Sequence, residues 1–115
     1  MIQLYAAKKN FDAQKALRFF KERRIPYQYV DLEKHKLGER ELDLFIRAAG
    51  SAAKLVDRRD KRALSHPAAH MDTDSLVRAE LLTHPQFLVS PIIRSGTRVV
   101  IGFDPSVLDA WTKES

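Results

Sequence analysis

The residues best placed to do chemistry in this chain cluster where a strand runs into a helix. Residues 1–5 read as a strand, 6–9 as a short loop and 10–24 as an amphipathic helix, which sets Lys8, Lys9 and Asn10 at the helix start. A helix N-terminus presents free backbone N–H groups and the positive end of the helix dipole, so an anion or a thiolate is stabilised there. Lys8 and Lys9 could hold a phosphate or carboxylate beside it. Asn10 admits two readings, a cap on the helix or a polar ligand contact, and asparagine is among the best capping residues. A sulfur is missing: the sequence contains no cysteine. Thiol chemistry, disulfides and thiolate metal sites are therefore excluded for its own side chains.

Other candidate chemistry is sparse. His66 and His70 are four apart, a spacing that suits a metal only if one helix carries both and a third ligand arrives; Pro67 opposes such a helix, so no metal is expected. Asp57 and Asp60 are interleaved with arginine, and Asp72 and Asp74 flank a helix start, which is not a paired-carboxylate pattern. His84 precedes Pro85 as a helix end or surface residue. No serine lies in a Gly-x-Ser-x-Gly setting, and there is no glycine-rich phosphate loop.

The elements that must position the helix start follow from periodicity. Ala13, Ala16, Leu17 and Phe20 make one apolar stripe on the first helix, and Lys21, Arg23 and Arg24 near its end suit the dipole before Pro26 stops it. Alternation over 27–32 predicts a second strand, parallel to the first through a right-handed crossover. Leu42, Phe45, Ile46 and Ala49 predict a second helix ended by Gly50, and 51–56 a short helical turn. Residues 57–62 are charged without a period, and the stretch to Thr73 reads as a loop with room for a short helix around 63–66. Asp74 is expected to cap a third helix bearing Leu76, Ala79 and Leu81 or Leu82, stopped at His84-Pro85. Residues 91–94 and 97–103 flank Ser95-Gly96 as a hairpin. Asp104 and Pro105 start a closing helix with Val107, Leu108 and Trp111 on its apolar face, Trp111 as a core anchor. The fold class is α/β: β-α-β, then helices, then β-β-α, a thioredoxin or glutaredoxin layout with a mixed four-stranded sheet and a helical insertion at about 38–86.

With 115 residues and 44% hydrophobic content the chain suits one domain, 1–115. Its net charge of +5 favours an acidic partner, a phosphate-rich ligand or nucleic acid. The basic residues are spread over Lys8, Lys9, 21–24, 34–36 and 58–62 without interleaved aromatics, so direct nucleic-acid binding is not expected. There is neither an apolar run of about eighteen residues nor a basic-then-apolar leader, so a cytoplasmic protein with no membrane association is expected.

Three stretches carry a resemblance. Leu4-Tyr5 followed by a short loop to Asn10, Ala13 and Lys15-Ala16, then Leu82-Thr83-His84-Pro85 with Ser90-Pro91-Ile92-Ile93, then Gly102-Phe103-Asp104-Pro105, together resemble the arsenate reductase-like group, which also holds the Spx-type regulators. The resemblance spans nearly the whole chain in order and spacing. It implies that Pro91 is cis, that Asn10 stands on the nucleophilic cysteine and Ala13 on the second position, and that Ser90 replaces an arginine that holds the oxyanion. Arg59 falls near the region supplying another basic residue.

The expected function is accordingly a redox-inactive protein that acts by binding a protein partner, in a regulatory role. The Spx branch, as the resemblance implies, grips RNA polymerase through the C-terminal domain of its alpha subunit. The contact rim would comprise Lys8, Lys9, Asn10, Ser90 and Pro91, with 58–62. The alternative is a glutathione- or oxyanion-binding protein or enzyme remnant, its inherited pocket lined by Lys8, Lys9, Asn10, Ala13, Arg59, Ser90 and Pro91. Neither reading requires a cofactor, glutathione being the one candidate. Cysteine-dependent arsenate or disulfide reduction is excluded by composition.

Overall fold

The computed structural model describes residues 2–7, 10–57 and 73–113. Four strands, β1 (Ile2–Ala6), β2 (Tyr27–Asp31), β3 (Ile92–Ser95) and β4 (Arg98–Ile101), form a mixed sheet in the order β2-β1-β3-β4. β1 runs parallel to β2 and antiparallel to β3, which pairs antiparallel with β4. The described helices are α1 (Phe11–Glu22), α2 (Glu39–Ala49), α3 (Asp74–Thr83) and α4 (Pro105–Lys113), with 3-10 turns at Ala53–Leu55 and Pro85–Phe87. This is the α/β layout expected. Among the described residues no helix is long and apolar enough to cross a membrane.

Successive strand residues point to opposite faces, so one strand feeds two cores. Leu4, Ala6 and Ile93 face α1 and α4, where they meet Ala13, Ala16, Phe20, Leu108 and Trp111. Tyr5, Val30 and Ile92 face the insertion, where they meet Leu42, Phe45, Leu55, Val77, Leu81 and Leu88. Trp111 is buried, as a core anchor should be, and Asp104 caps α4 by accepting from the N–H groups of Ser106 and Val107.

Several boundaries differ from expectation. The first helix is two residues shorter at its end, because Ile25 N–H bonds to Phe20 O and Arg24 N–H to Lys21 O, a closing motif that puts Arg24 at φ 54°. β2 stops at Asp31, with Leu32 already in a turn yet buried. The hairpin strands are Ile92–Ser95 and Arg98–Ile101 rather than 91–94 and 97–103. The third helix is rotated by one residue: Val77 and Leu81 are buried, Ala79 is exposed and Leu76 is 54% exposed. Asp74 does not cap it; Thr73 is its N-cap and lends no side-chain bond. The Asp74 carboxylate instead accepts from the N–H groups of Ala52 and Ala53 at 3.0 and 3.1 Å, where the 3-10 turn before α3 begins. A tertiary donor pair has outcompeted the helix's own.

The insertion is fastened by main-chain bonds to the segment that leads into β3. Val56 pairs antiparallel with Leu88, Asp57 N–H donates to Phe87 O and Val89 N–H to Leu55 O, both at 2.8 Å. The segment entering Pro91 is thus held from the insertion side.

Candidate functional site

At the carboxyl end of β1 the chain turns into α1, and Asn10 governs that turn. Its backbone is extended and its Oδ1 accepts from Ala13 N–H at 2.8 Å, the helix cap foreseen. The other end of the same amide donates from Nδ2 to the Ser90 carbonyl at 2.7 Å. Ser90 Oγ in turn accepts from Ala7 N–H at 3.2 Å. The Ser90–Pro91 bond is cis and Pro91 is buried. Asn10 and Ser90, eighty residues apart, are therefore one junction, and both functional ends of the amide are committed to it. An amide is not a nucleophile at neutral pH, and this one bonds the Ser90 carbonyl and the Ala13 N–H.

Beside the junction lies a cleft of about 340 Å³ lined by Asn10, Asp12, Lys54, Val56, Asp57, Val89, Ser90, Ile101 and Gly102. Gly102 enters at φ 89°, its N–H donating to Pro91 O at 2.8 Å, a conformation L side chains rarely adopt. Ala13, expected in the pocket, is fully buried and offers the junction its backbone N–H alone. Lys8, Lys9 and Arg59 lie outside the described residues, as do His66 and His70 and the possible helix around 63–66.

Among the described residues, the charge lining the cleft runs against an oxyanion. Its described lining carries two carboxylates, Asp12 and Asp57, and one ammonium, Lys54. Asp12 sits in the first turn of α1, where a carboxylate already answers the helix dipole. An extended peptide laid beside the segment before Pro91 would find Val89 N–H already bonded to Leu55 O.

Sequence reading missed an exposed aromatic residue here. Phe11 is 74% exposed, whereas Phe19, Phe20, Phe45, Phe87 and Trp111 are buried. The available signal was its position off the Ala13-Ala16-Phe20 stripe. Asp12, Lys54 and Asp57 left no such signal, since the fold alone brings 54–57 to the start of α1.

A second polar cluster sits on the other face of β1. The Tyr5 hydroxyl donates to Glu41 Oε2 at 2.7 Å, Gly38 N–H donates to Glu41 Oε1 at 2.9 Å, and His35 Nε2 lies 3.1 Å from Oε1. The Tyr5 ring meets Phe45 and His35 edge-on, at 5.0 and 6.0 Å. Burial, helped by the Glu41 carboxylate, pushes the Tyr5 hydroxyl up to about 12. Burial also acts to raise Glu41, but the hydrogen bonds from Tyr5, Gly38 and His35 outweigh it and hold the carboxyl below its ordinary value. Tyr5 has no exposed surface. The cluster joins β1 to the start of α2 and the loop before it. Among the described residues, no group of three or more histidine or acidic side chains could hold a metal.

No family profile matches the sequence, and no curated protein matches it. Solved structures do. The YffB (PA3664) protein superposes with a TM-score of 0.78 at 21% identity, over 96% of this chain and 97% of that one. An arsenate reductase (ArsC) related protein from Brucella melitensis gives 0.66 at 22% identity, over 97% and 94%. The arsenate reductase from Vibrio cholerae gives 0.76 at 16% identity, over 94% and 95%. The structural neighbours are thus arsenate reductase (ArsC) family proteins, and the chain shares their thioredoxin-like α/β fold while containing no cysteine of its own.

Proposed function

We propose that this protein is redox-silent and works by binding a protein partner at the rim where α1 begins, in a regulatory role. One observation carries the reading: the Asn10 amide, at the position where the resemblance implies a nucleophile, bonds Ala13 N–H with one end and Ser90 O with the other. A group so committed holds two segments together and has nothing left to react with. The exposed Phe11 ring beside it supplies what a binding surface needs, a large apolar anchor on a rigid element. RNA polymerase is one partner the resemblance to Spx-type regulators offers, and a cytoplasmic setting accords with it.

The ligand reading keeps one specific support, the cleft of about 340 Å³ containing Lys54. The two carboxylates among its described lining residues oppose both an oxyanion and glutathione, which is itself an anion. Titrating the isotopically labelled protein with glutathione and with arsenate, while following the amides of Ala13, Val89 and Gly102, decides between the two. We expect no saturable shift and no arsenate turnover with glutathione and glutaredoxin supplied. Saturation at those three amides would replace the partner-binding reading with the ligand reading.

A further inference from the structure

We propose that the outer face of α1 is the docking surface for an acidic amphipathic helix of a partner protein, with Phe11 seated at one end of the contact. The proposal rests on the partner-binding reading above and supplies the chemistry of the partner.

Phe11, Lys15, Arg18 and Glu22 recur four, three and four apart, so they share one side of α1, flanked by Gln14 and Lys21; all six are exposed. Lys15 Nζ lies 4.7 Å from the centre of the Phe11 ring, joining the aromatic end of this face to its basic middle. A shallow depression of about 330 Å³ follows, lined by Gln14, Leu17, Arg18 and Lys21, so that half-buried Leu17 gives an apolar element between cationic side chains. Three cations stand here against one carboxylate, Glu22, at the far end. No ion pair ties Arg18 or Lys21 to a carboxylate among the described residues.

From Phe11 to Lys21 the face runs about 15 Å along a straight helix. Its cations Lys15, Arg18 and Lys21 lie three residues apart in turn, a spacing at which a facing helix can also repeat its own side chains, so glutamates at such intervals would oppose them. A nucleic-acid backbone matches the charge but has no apolar side chain to set against Phe11 and Leu17. The fit favours an acidic polypeptide over a phosphate chain.

The test uses the labelled protein and a synthetic amphipathic helix of about five turns bearing leucine on one face and glutamate on the other. We expect amide shifts concentrated over residues 11–21, weakened roughly tenfold by the double variant Lys15→Glu, Arg18→Glu and also by added salt. A second basic surface, lined by Arg40, Arg47 and Arg94 between α2 and the β3–β4 hairpin, is the internal control. Larger shifts there, equal binding of the lysine-for-glutamate peptide, or tighter binding of a DNA duplex at residues 11–21 would overturn the proposal. Photo-crosslinking in cells separates its failure from that of the broader reading. A photoreactive residue at Arg18 should capture a protein of acidic sequence. Capture from the cleft position Lys54 with none from Arg18 overturns the α1 surface alone, and no capture from either overturns partner binding as well.

Discussion

The Asn10–Ser90 junction and the Tyr5–Glu41–His35 cluster both fasten β1 to its surroundings, one beyond its carboxyl end and the other across its insertion-facing side. The first is built from a neutral amide, a hydroxyl and backbone groups. The second encloses a carboxylate with a tyrosine and a histidine. A neutral junction is indifferent to pH, whereas a charged one makes the fold answer to it. The two differ in solvent as well: Asn10 borders an open cleft, while the Tyr5–Glu41 bond is made by a tyrosine sealed from solvent.

The sharpest way to break the comparison is to remove the buried ring. Tyr5→Ala should cost about 3–5 kcal/mol, because the ring contacts with Phe45 and His35 are lost together with the bond to Glu41; urea unfolding followed by circular dichroism measures it. Asn10→Ala should cost less, about 1–2 kcal/mol, as the cap goes and α1 loses its tie to Ser90. Asn10→Ser keeps a neutral cap oxygen and removes the Nδ2 donor to Ser90 O, so the gap between the two variants, about 1 kcal/mol, reads the cap.

Smaller, but diagnostic, is the dependence on pH. Burial pushes the Tyr5 hydroxyl from the ordinary tyrosine value of 10.0 up to about 12. Its contribution is therefore complete below about 10 and is lost as pH rises through about 12. Glu41 is lowered, so its contribution is present above the ordinary carboxylate value and disappears as pH falls through the lowered one. Tyr5→Phe should flatten the alkaline limb of the stability profile and Glu41→Gln the acid limb, while Asn10→Ala shifts the whole profile without changing its shape. An Asn10→Ala profile of altered shape would mean that the neutral junction is coupled to titrating groups after all.

The parts of this fold legible in the sequence are those that local periodicity and local capping decide. Ala13, Ala16 and Phe20 announced the buried side of α1, and Asp104 with Pro105 announced α4. Asp74 obeyed the same local rule in sequence and broke it in space, because the N–H groups of Ala52 and Ala53 were nearer to its carboxylate's final position than its own helix start. The face of α3 was misjudged for a related reason: Leu76, Val77, Leu81 and Leu82 are all apolar, so the period alone does not choose which pair points inward. At the site, the cap by Asn10 was readable, but its second bond depends on Ser90 eighty residues away. Tyr5 and Glu41, separated by thirty-six residues, left no trace in any window of sequence.

The pairing of Val56 with Leu88 reaches further than the cleft it borders. Leu55 O and Asp57 N–H are matched to Val89 N–H and Phe87 O across that bridge, so peeling the insertion away strands two donors and two acceptors at once. Neither side can open alone at small cost, and the inserted region and the proline turn should therefore melt as a single cooperative block.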